Sequence, residues 1–310
     1  MSEQYLVKGA TGFIGSNLAR GLLAKCEQIN IIARNSKLNW RLEEVSQKIK
    51  IHICDLLDFP SLERTVVKIK PTVIFHLAAC GVKHSENETE KMVDVNLKGT
   101  LNLIKACQRY GFKLFVNTGS SSEYGVRNSA MRETDILEPI NDYGITKAAT
   151  TLFCQKISRL EKLPIVTFRL FSPYGYYEDP QRFVPYVISR ALMNKPLELS
   201  DPNYVRDFIF IDDVTEAYFK AVETLFPLGS IINIGSGRQT PLRDIVQVVL
   251  KLTGSTSEIR WYVKPKQQRQ SEPKIWQADI TKARGLLYWK PRYNVNQGLK
   301  KTINWMKKFR

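Results

Sequence analysis

A doubly wound parallel α/β sheet, carrying a smaller lobe near the chain's C-terminal end, is the fold this sequence predicts. Two observations predict it: short β-rich runs alternate with helix-period segments over the first two-thirds, and a glycine-spaced turn directly follows the first run. A third observation is the set of prolines at 173, 180, 185, 196 and 202, where the alternation breaks up.

Strands are expected near 5–8, 29–33, 51–53, 73–77, 114–118 and 165–170, with helices around 13–25, 61–69, 90–110 and 143–160. Gly111 stands where a helix would end on a left-handed residue. After the prolines, 207–210 and 230–234 read as strands again, so the chain leaves the sheet and returns. Residues 1–172 and 207–235 are therefore assigned to a dinucleotide-binding domain, and 173–206 and 236–310 to a lobe laid over the C-terminal strand ends, where α/β sheets bind ligands. A last amphipathic helix is expected near 296–308.

The run Gly9-Ala10-Thr11-Gly12-Phe13-Ile14-Gly15 joins the first strand to the first helix. Glycines at this spacing allow a tight turn, close approach of a pyrophosphate and close helix–strand packing, while the first helical amides bind the phosphates. This makes the domain a Rossmann sheet. Strand two ends Ala33-Arg34-Asn35-Ser36-Lys37, without the carboxylate that usually takes ribose hydroxyls. Arg34, with Asn35 and Lys37, suits a 2′-phosphate instead, so NADP(H) is the preferred cofactor and NAD(H) the other. The alternative is that Arg34 stacks on adenine or faces water. Asp55 and Leu56, after the third strand, are candidates for the adenine; Asp55 reads equally as a helix cap.

Tyr143 and Lys147 lie four apart at the start of an expected helix, hence on one face. An ammonium beside a phenol favours the phenolate and suits it to proton transfer. The hydroxyl cluster Thr118-Gly119-Ser120-Ser121-Ser122 ends the strand before them.

Composition bounds the classes. The net charge is +16, and residues 258–310 hold 14 Lys and Arg against Glu258, Glu272 and Asp279. That balance suits an acidic partner, but no aromatic-interleaved basic run or nucleic-acid motif accompanies it, so a diphosphate substrate and solvated lysines are the reading and nucleic acid is not. No run approaches the roughly 20 apolar residues of a membrane span. No secretory pattern opens the chain, and a cytoplasmic location is expected. Five cysteines without a C-x-x-C spacing indicate buried thiols rather than disulfides or a metal site.

These residues together resemble the extended short-chain dehydrogenase/reductase family, whose members mostly modify nucleotide-linked sugars. The likeness covers nearly the whole chain. It rests on 9–15, His76-Leu77-Ala78-Ala79, Asn96, the serines before Tyr124-Gly125, Tyr143 with Lys147, Arg206-Asp207-Phe208, 233–237 and Arg269. The resemblance implies Tyr143 as acid/base, Lys147 as its partner and ribose ligand, and Ser120 as donor to the reacting oxygen. It places Ala78, Ala79 and Asn96 at the cofactor, and Arg206 and Arg269 on a substrate diphosphate. Alternatives stand beside these roles: Ser120 as a strand-end cap, Asn96 as a backbone brace, Arg206 paired with Asp207 or Asp212. A nucleotide sugar is the expected partner, with its base read near Phe183 and Val184, and a homodimer through helices 90–110 and 143–160 is implied.

Dehydratases of the family carry acid directly after the catalytic hydroxyl residue. Here Ser121 and Ser122 stand there, and Glu123 is expected to point away if the strand continues. Dehydration is disfavoured. Between the remaining reactions, Arg34 and a patchy similarity of 78–85 to CDP-paratose and CDP-abequose synthases favour an NADPH-dependent reductase of a nucleotide-linked 4-keto-6-deoxyhexose. In that reading Lys83, His84, Ser121 and Ser122 face the sugar. A nucleotide-sugar 4-epimerase with tightly held NAD is the alternative, and a non-catalytic relative that binds RNA or senses cofactor a remote one.

Overall fold

The computed structural model describes residues 3–25, 28–35, 40–81, 88–263 and 273–308. In chain order the elements are β1 (Tyr5–Lys8), α1 (Phe13–Leu23), β2 (Ile29–Ala33), β3 (Ile49–Ile53), α2 (Phe59–Ile69), β4 (Val73–His76), α3 (Thr89–Met92), α4 (Gly99–Gln108), β5 (Leu114–Ser120), α5 (Asp142–Glu161) and β6 (Ile165–Leu170). There follow β7 (Ser172–Tyr174), α6 (Phe183–Leu192), β8 (Leu197–Glu198), β9 (Val205–Arg206), β10 (Phe208–Phe210), α7 (Ile211–Val222), β11 (Ser230–Ile234), β12 (Thr240–Pro241), α8 (Leu242–Thr253), β13 (Ile259–Arg260), α9 (Thr281–Leu286) and α10 (Val295–Lys308).

Seven strands form one parallel sheet in the order β11-β6-β5-β4-β1-β2-β3. The order reverses between β1 and β4, and ligands of such sheets bind at that crevice. Near-continuous apolar strands follow from having helices on both faces. Val7 of β1 belongs to the core shared with α1, α7 and the C-terminal lobe, while Leu6 packs with α2 and α4 on the other face. One cluster runs from Val7 through Phe168 to Leu197 and Ile245, so the two regions share a core.

The local signals act as expected. Asp58 caps α2 by accepting from the Ser61 amide at 3.1 Å, and Asn141 caps α5 by accepting from Gly144 at 2.8 Å. Gly111 is left-handed at φ +69° after α4.

Two expectations are corrected. The strand at 208–210 does not return to the sheet: β10 pairs with β7 in a separate two-stranded ribbon, because β11 already occupies the edge of β6 in register Ser230 to Val166. The helix expected over 90–110 is also not uniform, since a π turn at Val93–Lys98 separates α3 from α4.

Candidate active site

The glycine turn is shaped by contacts that only glycine allows. Gly9 has φ +94°, and a Cβ there would lie 2.5 Å from the Ala78 nitrogen; one on Gly15 would lie 2.2 Å from the Gly9 carbonyl oxygen. Gly12 is different, since its Cβ would meet only the Gly9 oxygen at 3.3 Å and otherwise face open space. α1 starts at this residue with no side-chain cap and no acid in its first turn. Its leading amides are therefore available to an anion, as the pyrophosphate of a dinucleotide requires. Ala78 and the more exposed Ala79, after β4, form the facing wall.

At the adenosine end, Arg34 and Asn35 are exposed after β2. Asp55 uses one oxygen to accept from the Leu57 amide at 2.9 Å, building its own turn, and Leu56 is buried against Gly99. Leu56 thus supports the pocket from below rather than lining it. Lys37 lies outside the described residues.

Ser120 ends β5 and begins a 3₁₀ turn, Ser121–Glu123. A capping box sets it: the Ser120 hydroxyl accepts from the Ser122 amide at 3.1 Å, while Glu123 accepts from the Ser120 amide at 2.8 Å. Glu123 is fully buried, paired with Arg169 of β6 at 2.7 Å and bonded by the Thr151 hydroxyl of α5 at 3.0 Å. It does turn away from Ser122, but through this 3₁₀ turn and not through a continuing strand. No free carboxylate stands beside Ser120.

Tyr143 and Lys147 occupy the first turns of α5, and Ser120 hydrogen-bonds with the phenol. Burial pushes the phenol up to about 12; the Ser120 hydrogen bond and the positive charge of Arg182 oppose that, and Glu123 adds to it. Burial likewise lowers the Lys147 ammonium. The expectation that the ammonium makes Tyr143 a phenolate near neutrality is corrected: desolvation outweighs it, and the phenol is protonated at neutral pH.

Asn96 is 1% exposed, inside the π turn. Its amide donates to the Cys80 carbonyl at 3.0 Å and to the Thr146 hydroxyl at 3.0 Å, and its oxygen accepts from the Cys80 amide at 2.7 Å. With its hydrogen-bonding groups so engaged, Asn96 braces the Ala78–Cys80 loop to α5, the alternative role, and acts on a cofactor only indirectly.

On the substrate side, Ser122 and Phe183 are partly exposed and Ser121 is nearly buried. Val184 is corrected: it lies in the core, because the second position of α6 faces inward. Arg206 sits over the Trp276 ring, 5.3 Å from its centroid, and donates to the Val205 carbonyl at 2.7 Å. Asp207 instead accepts from the Ser236, Gly237 and Ala278 amides, and Asp212 pairs with Lys301. Lys83, His84 and Arg269 lie outside the described residues. Missed in the sequence were Lys8, Glu123, Thr146 and Arg182; only Glu123 left a local signal, the S-x-x-E spacing from Ser120.

Among the described residues no group of His, Cys, Asp and Glu could hold a metal, and no helix is long and apolar enough to cross a membrane. Cys54, Cys80, Cys107 and Cys154 are buried free thiols.

The chain is 30% identical to a UDP-glucuronate 4-epimerase of Thermodesulfobacterium geofontis over 98% of its own length and 96% of that protein's. Among solved structures it is similar to a UDP-glucose 4-epimerase of Thermotoga maritima, crystallised with UDP-glucose (TM-score 0.89, 28% identity, 99% of both chains). It is also similar to a UDP-glucuronic acid 4-epimerase of Bacillus cereus in complex with UDP-glucuronic acid and NAD (TM-score 0.88, 29% identity, 99% of this chain and 100% of that one). These relatives are UDP-sugar 4-epimerases rather than CDP-paratose or CDP-abequose synthases, and they favour the epimerase alternative over the reductase. The family model for NAD dependent epimerases/dehydratases matches residues 5–235, and the chain, with its glycine cradle and its serine–tyrosine–lysine site, belongs to that family.

Proposed function

We propose that this protein is a nucleotide-sugar 4-epimerase, acting on a UDP-linked hexose or hexuronate. The observation that carries the reading is the environment of Ser120. Dehydration needs acid and base groups for C5 and C6, but Ser121 and Ser122 flank the site and Glu123 is committed to Arg169. What remains is chemistry at one carbinol carbon.

Tyr143 takes the proton from the C4 hydroxyl and returns it after the hydride has come back to the opposite face. Ser120 donates to the same oxygen, stabilising charge as it develops. The dinucleotide supplies the hydride acceptor and, when oxidised, a positive charge that opposes the burial of a phenolate. Lys147 holds the ribose, and Arg206, with Arg269, the diphosphate. Exposed Arg34, with no carboxylate nearby, supports a 2′-phosphorylated cofactor as well as NAD.

Incubation with UDP-glucose and UDP-glucuronate, without added reductant, is expected to give the C4 epimers by NMR. Inert UDP-sugars, together with NADPH oxidation by a nucleotide-linked 4-keto-6-deoxyhexose, would instead establish the reductase.

The exposed side chains of Ile145, Leu152, Phe153 and Leu160 recur at helical spacing along α5. They support a homodimer through this helix and α4. Leu152→Glu is expected to halve the mass measured by light scattering after gel filtration; an unchanged mass would remove α5 from the interface.

A further inference from the structure

At the adenosine end of the cleft lies a buried cation that the glycine cradle does not require. Lys8 is the last residue of β1, directly before Gly9, and is only 6% exposed. Its Nζ donates to the Ile32 carbonyl of β2 at 3.3 Å. In register it stands beside Ile32 and His76, between the ends of three central strands. Among the described residues no carboxylate comes within ion-pair distance of it. Burial lowers the ammonium to about 8; the negative charges of Asp55 and Cys54 oppose this, and Arg34 adds to it.

A buried ammonium costs free energy that an aliphatic or hydroxyl side chain at the same position would not. An anionic ligand offsets that cost. The neighbouring end of β2 points the same way on independent grounds: Ala33-Arg34-Asn35 exposes a second cation and offers no carboxylate to ribose hydroxyls. The two cations come from adjacent strand ends, and each is close enough for Arg34 to act on Lys8.

We propose that Lys8 and Arg34 form a two-cation receptor for a phosphate on the adenosine ribose, Lys8 being the residue that distinguishes a 2′-phosphorylated dinucleotide from an unphosphorylated one. This rests on the cofactor part of the proposed function and is independent of which reaction follows.

The test uses the full chain stripped of nucleotide, with 2′,5′-ADP and 5′-AMP titrated separately by calorimetry. At pH 7 the native protein is expected to prefer 2′,5′-ADP by at least about tenfold, the scale of one charge-assisted hydrogen bond. Lys8→Thr and Lys8→Met are each expected to remove most of that preference while leaving 5′-AMP binding unchanged. Between pH 7 and pH 9 the native preference is expected to fall as Lys8 loses its proton, and the variants' to stay flat. Asp55, Cys54, Arg34 and His76 are the other titratable groups facing Lys8, and the variants retain all of them.

A native-like preference in both variants overturns the role of Lys8 and leaves Arg34 standing. Loss of 5′-AMP binding along with the preference makes Lys8 structural and also overturns it. Equal affinity of the native protein for the two nucleotides overturns the receptor as a whole. A negative epimerase assay touches none of these outcomes.

Discussion

Replacing Tyr143 by phenylalanine is expected to lower kcat by roughly 10³-fold, within the range that a positioned general acid/base contributes. Dinucleotide affinity should change little, because the ring and its packing are kept. The pH profile carries the more specific signature. Burial holds the phenol protonated at neutral pH, pushing it up to about 12, so removal of the C4 hydroxyl proton should accelerate as pH rises toward the loaded enzyme's value. Tyr143→Phe should lose that slope as well as the rate. Steady-state epimerisation at several pH values measures both, and a loss below tenfold with the slope intact would assign the proton transfer elsewhere.

Glu123→Ala is expected to destabilise the fold by about 3–5 kcal/mol, since it leaves the Arg169 guanidinium buried without its counter-charge. Arg169 is 1% exposed and has few other partners: it lies over the Tyr124 ring at 4.6 Å, and its Nη1 finds none among the described residues. Glu123 also anchors the Ser120 amide and the Thr151 hydroxyl, so its removal loosens β5 from α5 at the catalytic serine. Melting should fall on the order of 10 °C for a domain of this size. Changing Glu123 and Arg169 together to methionine should recover much of that loss, because neither charge is then stranded. A single variant that melts like the native protein would show that the pair contributes nothing net.

The sheet was legible because its strands are buried on both faces and its turns carry glycine, a signal strong enough to mark β1, β2, β6 and β11 to the residue. The cradle was legible for the same reason, since Gly9 and Gly15 are dictated by local backbone contacts. Features that depend on distant partners were not. Alternation suggested that β5 continues past Ser120, yet the Ser120–Glu123 capping box ends it, and the buried destination of Glu123 depends on Arg169, 46 residues on. Asn96 was placed at the cofactor because nothing local reveals that Cys80 and Thr146 engage its amide. Lys8 looked like an ordinary strand-end lysine, for burial between β2 and β4 is a property of the sheet order and not of residues 5–8. The phenol's protonation was misjudged likewise: spacing conveys which charges are near, but not how far water is excluded.

The π turn at Val93–Lys98 fixes the length of the chain between the cofactor loop and α4. An α-helix advances about 100° per residue, so removing one residue there would restore a regular ladder but rotate everything before it by that angle relative to α4. Asn96 would then swing off Cys80 and Thr146. The stretch from 89 to 108 is thus a keyed joint: substitutions on its outer face are tolerated, whereas a single-residue insertion or deletion is not.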